Sequence, residues 1–123
     1  KYKMAKSLNQ LIIMGNVTRT PDIKQTPSGN SVVSFSLALN RSYKDAQDQW
    51  QEATDYVDVV AWGKLADQVA ERLDTGSRAL VSGRLQSRSW EDKDTGAKRS
   101  KLEVLAQDVT FLDAADKIEI TQG

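Results

Sequence analysis

One stretch of the chain, residues 31–41, reads SVVSFSLALNR and indicates the fold most clearly. Its apolar residues occupy every second position, at Val33, Phe35, Leu37 and Leu39, and small or polar residues separate them. Successive side chains of a β-strand point to opposite faces, so a period of two predicts a strand with one buried face.

Similar patterns lie on both sides of this stretch. Residues 8–17 predict a strand in which Gly15 permits a bend or a bulge, and the turn sequence TPSGN at residues 26–30 predicts a hairpin. Residues 54–62 predict a third strand, with Tyr56 and Trp62 on the side away from the core. Two further strands are expected at residues 79–90, with a bulge at Gly83, and at residues 98–112.

The pattern changes between the third and fourth of these strands. Leu65, Val69 and Leu73 recur at intervals of four, which predicts one short helix between Gly63 and Gly76, and Gly76 is expected to end it. Residues 42–53 are polar and show no period, so they are expected to form a mobile loop.

Five strands with a helix between the third and the fourth is the order of an oligonucleotide-binding (OB) fold. This all-β fold is a five-stranded Greek-key barrel whose face and loops bind oligonucleotides or sugars. The order of elements also permits another small barrel with a capping helix. The barrel domain is predicted at residues 4–113, and residues 114–123 are expected to begin a weakly ordered C-terminal tail.

Composition excludes several classes of function. The chain of 123 residues fits one domain and contains no apolar run near the roughly 20 residues that a membrane-spanning helix requires. It contains no Cys and no His, which removes thiolate metal sites, the commonest metal ligand and the commonest general base. We therefore expect no enzyme activity, no catalytic residues, no metal site and no cofactor.

Charge is balanced overall, with 17 basic and 17 acidic residues, but it is unevenly distributed along the chain. Acidic residues cluster at residues 45–58, whereas Arg84, Arg88, Arg99 and Lys101 fall in the later strands. A neutral protein with segregated charge can still present a positive groove.

The stretch RLQSRSW at residues 84–90 suggests what such a groove would bind. In an extended strand it places Arg84, Gln86, Arg88 and Trp90 on one face. Guanidinium groups neutralise phosphates and an indole stacks on any base, so this row suits unpaired nucleic acid. The row alone equally fits the half-exposed edge of a barrel.

Several segments together resemble a known family. They are LIIMGNV at residues 11–17, TRTPD at 18–22, TPSG at 26–29, FSLA at 35–38, WGKLA at 62–66, GRL at 83–85 and RSWED at 88–92. Their order and spacing resemble the bacterial-type single-stranded-DNA-binding proteins from Asn9 to about Leu112.

The resemblance implies four base-stacking positions, at Tyr43, Tyr56, Trp62 and Trp90. Two of them are Tyr where relatives often have Trp, so stacking is expected to be weaker there. Trp50 is not assigned a base contact. Six basic residues are expected to contact phosphates: Arg19, Lys64, Arg84, Arg88, Arg99 and Lys101.

The resemblance also implies a biological role. Such a protein binds single-stranded DNA without sequence preference and protects it during replication, recombination and repair. It usually assembles as a homotetramer, with a homodimer possible, and recruits replication and repair proteins through an acidic C-terminal tail. The sequence stops at Gly123 without that tail, so we expect either a truncated chain, which is preferred, or a member that lacks this recruiting function. A cytoplasmic, nucleoid-associated location is expected, with mitochondrial or phage origin left open.

Three alternatives remain at this stage. An enzyme would have to use carboxylates such as Glu52, Asp55 and Asp58, which is disfavoured because no nucleophile or phosphate-cradling loop accompanies them. A primosome-type OB module would bind single strands weakly and contact other proteins. An RNA-binding OB protein would share the architecture, and nothing in the residue chemistry rejects a 2′-hydroxyl.

Overall fold

The computed structural model describes residues 5–112, which form six strands and one helix. The elements in chain order are β1 (Leu11–Val17), β2 (Asp22–Gln25), β3 (Ser31–Lys44), β4 (Trp50–Trp62), α1 (Lys64–Arg72), β5 (Arg78–Glu91) and β6 (Lys98–Leu112). The predicted tail at residues 114–123 lies outside the described residues. No helix in the described part of the chain is long and apolar enough to cross a membrane.

Five of the strands close into a barrel. Their order is β1-β5-β6-β4-β3, and a further pairing between β1 and β3 completes the ring. The short β2 pairs with the first residues of β3, as the predicted hairpin requires. The helix lies between β4 and β5, which are the third and fourth strands of the barrel, so the predicted OB fold is confirmed.

The core occupies the barrel interior and the space under α1. In β3 the predicted alternation is confirmed, because Val33, Phe35 and Leu37 are buried and Leu39 packs against them. Val59 and Ala61 of β4 are buried on the same side. Within residues 5–112 the buried apolar residues are Val17, Val33, Phe35, Leu37, Val59, Ala61, Ala66, Val69, Leu73, Ala79, Val81, Val104, Ala106 and Val109.

The helix packs against β3 and β4 through Ala66 and Val69. It ends at Arg72, earlier than predicted, because Leu73 already has extended backbone angles. Gly76 belongs instead to the turn that leads into β5. It has a φ of +86°, which favours glycine, and its N–H donates to the Val17 carbonyl at 2.8 Å.

The expected mobile loop at residues 42–53 is wrong, because most of it is strand. The β3–β4 hairpin pairs Ser42 with Glu52 and Lys44 with Trp50, which leaves only a short turn between the two strands. Both faces of this extension are largely polar and exposed, so they give no period of two in hydropathy. Backbone hydrogen bonds between the strands, which sequence pattern does not report, define the hairpin.

The hairpin turn is organised by one carboxylate. Asp45 Oδ1 accepts hydrogen bonds from the N–H groups of Gln49 and Gln47, each at 2.9 Å. The Gln49 bond is the main cause that lowers the pKa of Asp45 from its ordinary value of 3.8, and the Gln51 amide adds to it.

Two glycines lie where strands approach closely. The register between β5 and β6 shifts between Ser82 and Gly83, so the predicted bulge is confirmed. A Cβ at Gly83 would overlap the Leu105 carbonyl oxygen and lie 3.0 Å from the Leu105 carbonyl carbon. The β1–β5 register runs through Gly15 without a shift, so a bulge there is wrong, and glycine is needed because a Cβ would overlap the Ala38 carbonyl oxygen.

Substituting Gly83→Ala should lower the free energy of unfolding by about 1–3 kcal/mol, since the new methyl group meets backbone atoms of β6 rather than a flexible side chain. Urea denaturation at one fixed protein concentration measures the change. The exposed Ser89→Ala on the same strand is the control and should change stability by less than about 0.5 kcal/mol. Equal stability of the two variants would contradict the close approach.

The turn around Asp45 should become less stable as the pH falls. The pKa of Asp45 is lower in the folded than in the unfolded chain, so its contribution is complete above the unfolded pKa of about 3.9 and is lost as pH falls through the folded pKa. The amide proton shifts of Gln47 and Gln49 should titrate together with a midpoint below 3.8, and Asp45→Asn should abolish that titration. A midpoint at or above 3.8 would show that these bonds do not stabilise the carboxylate.

Candidate functional site

Two of the predicted stacking residues lie on the outer face of β4. Tyr56 and Trp62 are 70% and 49% exposed, while Val59 and Ala61 between them face the core. They are six residues apart on one strand, which corresponds to roughly 20 Å. Trp50 at the start of β4 is an even number of residues from Tyr56 and Trp62, so strand alternation puts it on the same face, and it is 68% exposed. The sequence alone assigns no base contact to Trp50, which lies in a segment that it predicts to be a loop.

Tyr43 occupies the other face of the β3–β4 hairpin. It follows the alternation of Leu37 and Leu39, whereas Tyr56 is paired with Ala38 on the opposite face. Strand alternation therefore separates Tyr43 from Tyr56 and Trp62. The Arg41 guanidinium carbon lies 5.6 Å from the centre of the Tyr43 ring.

Trp90 lies towards the tip of the second long hairpin, β5–β6. It is paired with Arg99 and remains 40% exposed. The Arg88 guanidinium carbon lies 5.1 Å from the centre of the Trp90 ring, within the range of a cation–π contact. The β5 register puts Arg88 and Trp90 on the same face, as the sequence predicted.

The six predicted phosphate contacts fall into two groups. Arg19, Lys64 and Arg84 make no ion pair within residues 5–112. The other three are paired with acids: Arg88 with Glu103 at 2.7 Å, Arg99 with Asp92 at 3.1 Å and Lys101 with Asp58 at 3.0 Å.

The acidic partners differ in burial. Glu103 is 1% exposed, whereas Asp92 and Asp58 remain accessible to water. The pKa of Asp92 is lowered, first by the Asp94 N–H and then by Arg99. Exposed pairs of this kind contribute only about 0–1 kcal/mol, so a phosphate can compete for their cations.

The fold also brings together charges that lie far apart in the sequence. Asp58 of β4 meets Lys101 of β6 across 43 residues of chain. One acidic residue of the 45–58 segment therefore lies beside a basic residue of the later strands. No group of three or more metal-ligating side chains occurs in residues 5–112.

One edge of β1 is mostly unpaired. Asn16 and Val17 pair with β3, but Leu11–Gly15 pair only with β5 on their other edge. Ile12 on this segment is 65% exposed. A groove lined by Ile12, Met14, Asn40, Trp50 and Arg78, among others, runs between β1 and the β3–β4 hairpin.

Comparisons with known proteins give a consistent assignment. The sequence profile of the Single-strand binding protein family matches residues 8–112. Single-stranded DNA-binding proteins 1 and 2 of Chlorobaculum tepidum are 41% and 45% identical to this chain, covering 92% and 89% of it and 70% and 74% of those proteins.

A protein of Deinococcus radiodurans with the name single-stranded DNA-binding protein is 41% identical over 89% of this chain and 36% of its own length. Among solved structures, that of Plasmodium falciparum SSB in complex with ssDNA is similar with a TM-score of 0.81 and 31% identity, covering 90% of this chain and all of that chain. The chain belongs to the single-strand binding protein family.

Proposed function

We propose that this protein binds single-stranded DNA without sequence preference and protects it during replication, recombination and repair. The observation that carries the proposal is the display of Tyr56, Trp62 and Trp90 on exposed strand faces of an OB barrel. Family membership and the Plasmodium falciparum relative in complex with ssDNA support it. The role is binding rather than catalysis.

Stacking on exposed rings accounts for binding to any base sequence. Every base has a π-face, and a stacked base contributes about 1–3 kcal/mol. We assign Tyr43, Tyr56, Trp62 and Trp90 to this role, with Tyr43 reached from the other face of its hairpin. Duplex should bind poorly, because its base faces are hidden and α1 packs its apolar side onto the barrel.

Phosphate contacts supply the salt-dependent part of the affinity. Arg19, Lys64 and Arg84 are available directly, since no acid pairs with them in the described residues. Arg99 and Lys101 would exchange an exposed carboxylate for a phosphate. Arg88 is paired with the buried Glu103, so Arg88 contacts a phosphate only if it separates from this partner.

Self-association is part of the proposal. The unpaired edge of Leu11–Gly15 and the exposed Ile12 offer backbone and apolar surface to a second copy. A homotetramer is proposed, with a homodimer as the smaller alternative. Light scattering at micromolar concentration distinguishes the two from a monomer.

Domain limits and partners complete the proposal. We propose a barrel domain at residues 4–113, and residues 114–123 are proposed to begin a tail that recruits replication and repair proteins. The two Chlorobaculum tepidum relatives contain further residues outside the matched region, because this chain covers 70% and 74% of their lengths. The proposed location is the cytoplasm, in association with the nucleoid.

Replacement of one stacking ring tests the function. Trp62→Ala should weaken binding of oligo-dT by about 1–3 kcal/mol, and Trp62→Phe should lose much less because a ring remains. Quenching of the remaining Trp fluorescence on titration gives the affinities. Titrations with duplex DNA and oligo-rU serve as comparisons.

The wild-type titrations distinguish the rival functions. Quenching by oligo-rU equal to that by oligo-dT would favour an RNA-binding barrel. Absence of binding to either oligomer at low salt would overturn the proposal and leave a protein-interaction module.

Salt dependence separates phosphate contacts from stacking. Arg84→Ala should reduce the slope of log K against log [NaCl] by about 0.7, the value for one phosphate contact on a single strand. Trp62→Ala should leave that slope unchanged while lowering affinity at every salt concentration. An unchanged slope in Arg84→Ala would exclude a phosphate contact for this residue.

A further inference from the structure

A short sequence occurs at the outer part of both long hairpins. Arg41-Ser42-Tyr43 lies in β3, and Arg88-Ser89-Trp90 lies in β5. In each case the guanidinium lies over the ring two residues later on the same face, at 5.6 Å for Tyr43 and 5.1 Å for Trp90.

Each arginine is held by a carboxylate on the neighbouring antiparallel strand. Arg41 Nε donates to Asp55 Oδ2 at 2.9 Å, and Arg88 Nε donates to Glu103 Oε1 at 2.7 Å. The register is the same in both hairpins.

Arg41 is paired with Ala53, and its acid lies two residues further along β4. Arg88 is paired with Lys101, and its acid lies two residues further along β6. Two hairpins of different sequence thus place an acid, an arginine and an aromatic ring in equivalent positions.

This arrangement has a physical consequence for base binding. A free arginine loses side-chain entropy when a ligand immobilises it, which weakens binding roughly 2- to 10-fold. A carboxylate that already holds the guanidinium removes that cost, and charge-assisted bonds through Nε define its position. Because the acid also neutralises the cation, the held arginine is better suited to stack on a base than to bind a phosphate.

We propose that Asp55 and Glu103 are positioning residues for DNA binding, which hold Arg41 and Arg88 against Tyr43 and Trp90 as two preassembled base-stacking surfaces. This inference rests on the proposed binding of single-stranded DNA. Glu103 should matter more than Asp55, because Glu103 is 1% exposed whereas Asp55 is 54% exposed and water competes for its pair.

The direction of the change in DNA affinity in Glu103→Gln distinguishes this positioning role from a simple charge effect. Removing a carboxylate makes the protein more positive, which by electrostatics alone strengthens DNA binding. At 1 M NaCl, where the Debye length is about 3 Å, Glu103→Gln should instead bind oligo-dT roughly 2- to 10-fold more weakly than wild type, the value expected for ordering one arginine. Asp55→Asn should show a smaller loss.

Matched controls lie on the same hairpins. Glu91→Gln, next to Trp90, and Glu52→Gln on β4 make the same charge change at exposed acids that have no ion pair within residues 5–112. Both should bind oligo-dT as tightly as wild type or more tightly. The same behaviour in Glu103→Gln would overturn the proposal.

Arg88→Lys gives an independent test that keeps the charge and a partner for Glu103. Lysine lacks the planar group, so this variant should lose about as much affinity as Glu103→Gln. A phosphate contact tolerates lysine, and near wild-type affinity would therefore overturn the stacking role. If Glu103→Gln fails to fold, as judged by circular dichroism, Arg88→Lys decides the question.

NMR relaxation can follow the arginine side chains directly, in the absence of DNA. The Nε–H signals of Arg41 and Arg88 in wild type should show rigid behaviour in ¹⁵N relaxation, and Glu103→Gln should make only the Arg88 signal mobile. A mobile Arg88 signal in wild type would overturn the inference. Failure of the proposed function would appear differently, as absence of oligo-dT binding by wild type with both signals rigid.

Discussion

Closure of the barrel depends on β1, because its pairing with β3 joins the two ends of the strand order β1-β5-β6-β4-β3. Its residues from Leu11 to Asn16 pair with β5, and Asn16 and Val17 also pair with β3. At the crossing, Gly15 brings the β1 backbone against the Ala38 carbonyl, where no side chain fits. Closure aligns the inner faces of five strands around one apolar core, and each strand can then present its outer face to solvent.

The long hairpins follow from this arrangement. β3 and β4, and β5 and β6, are longer than the core requires, so their outer parts extend into solvent with both faces exposed. Because neither face of such an extension is buried, packing in the core does not determine which side chains occur there. The rings of Tyr43 and Trp90 lie on these extensions, whereas Tyr56 and Trp62 lie on the exposed face of β4, opposite the core residues of that strand. In both places strands of the barrel position the rings, which a stacking surface requires.

Charge on this surface is organised pair by pair. A protein with equal numbers of acidic and basic residues binds an anionic polymer only if its acids are placed where they do not repel it. Here Asp58, Asp92 and Glu103 each contact a cation on a neighbouring strand or turn. The exposed pairs can open to phosphate at little cost. The buried carboxylate of Glu103 remains fixed, so it acts on binding through the arginine that it holds.

The sequence by itself determined the period-two strands, the helix between the third and fourth barrel strands and the exposed side of β4, because each of these depends on residues close together in the chain. Its several short motifs also identified the family. Tertiary structure alone decided the β3–β4 pairing through residues 42–52, the opposite faces of Tyr43 and Tyr56, and the contacts of Asp58 with Lys101 and Glu103 with Arg88. These features depend on strand register and barrel closure, which bring distant residues into contact, 43 positions apart for Asp58 and Lys101, and hydropathy along the chain carries no record of that pairing.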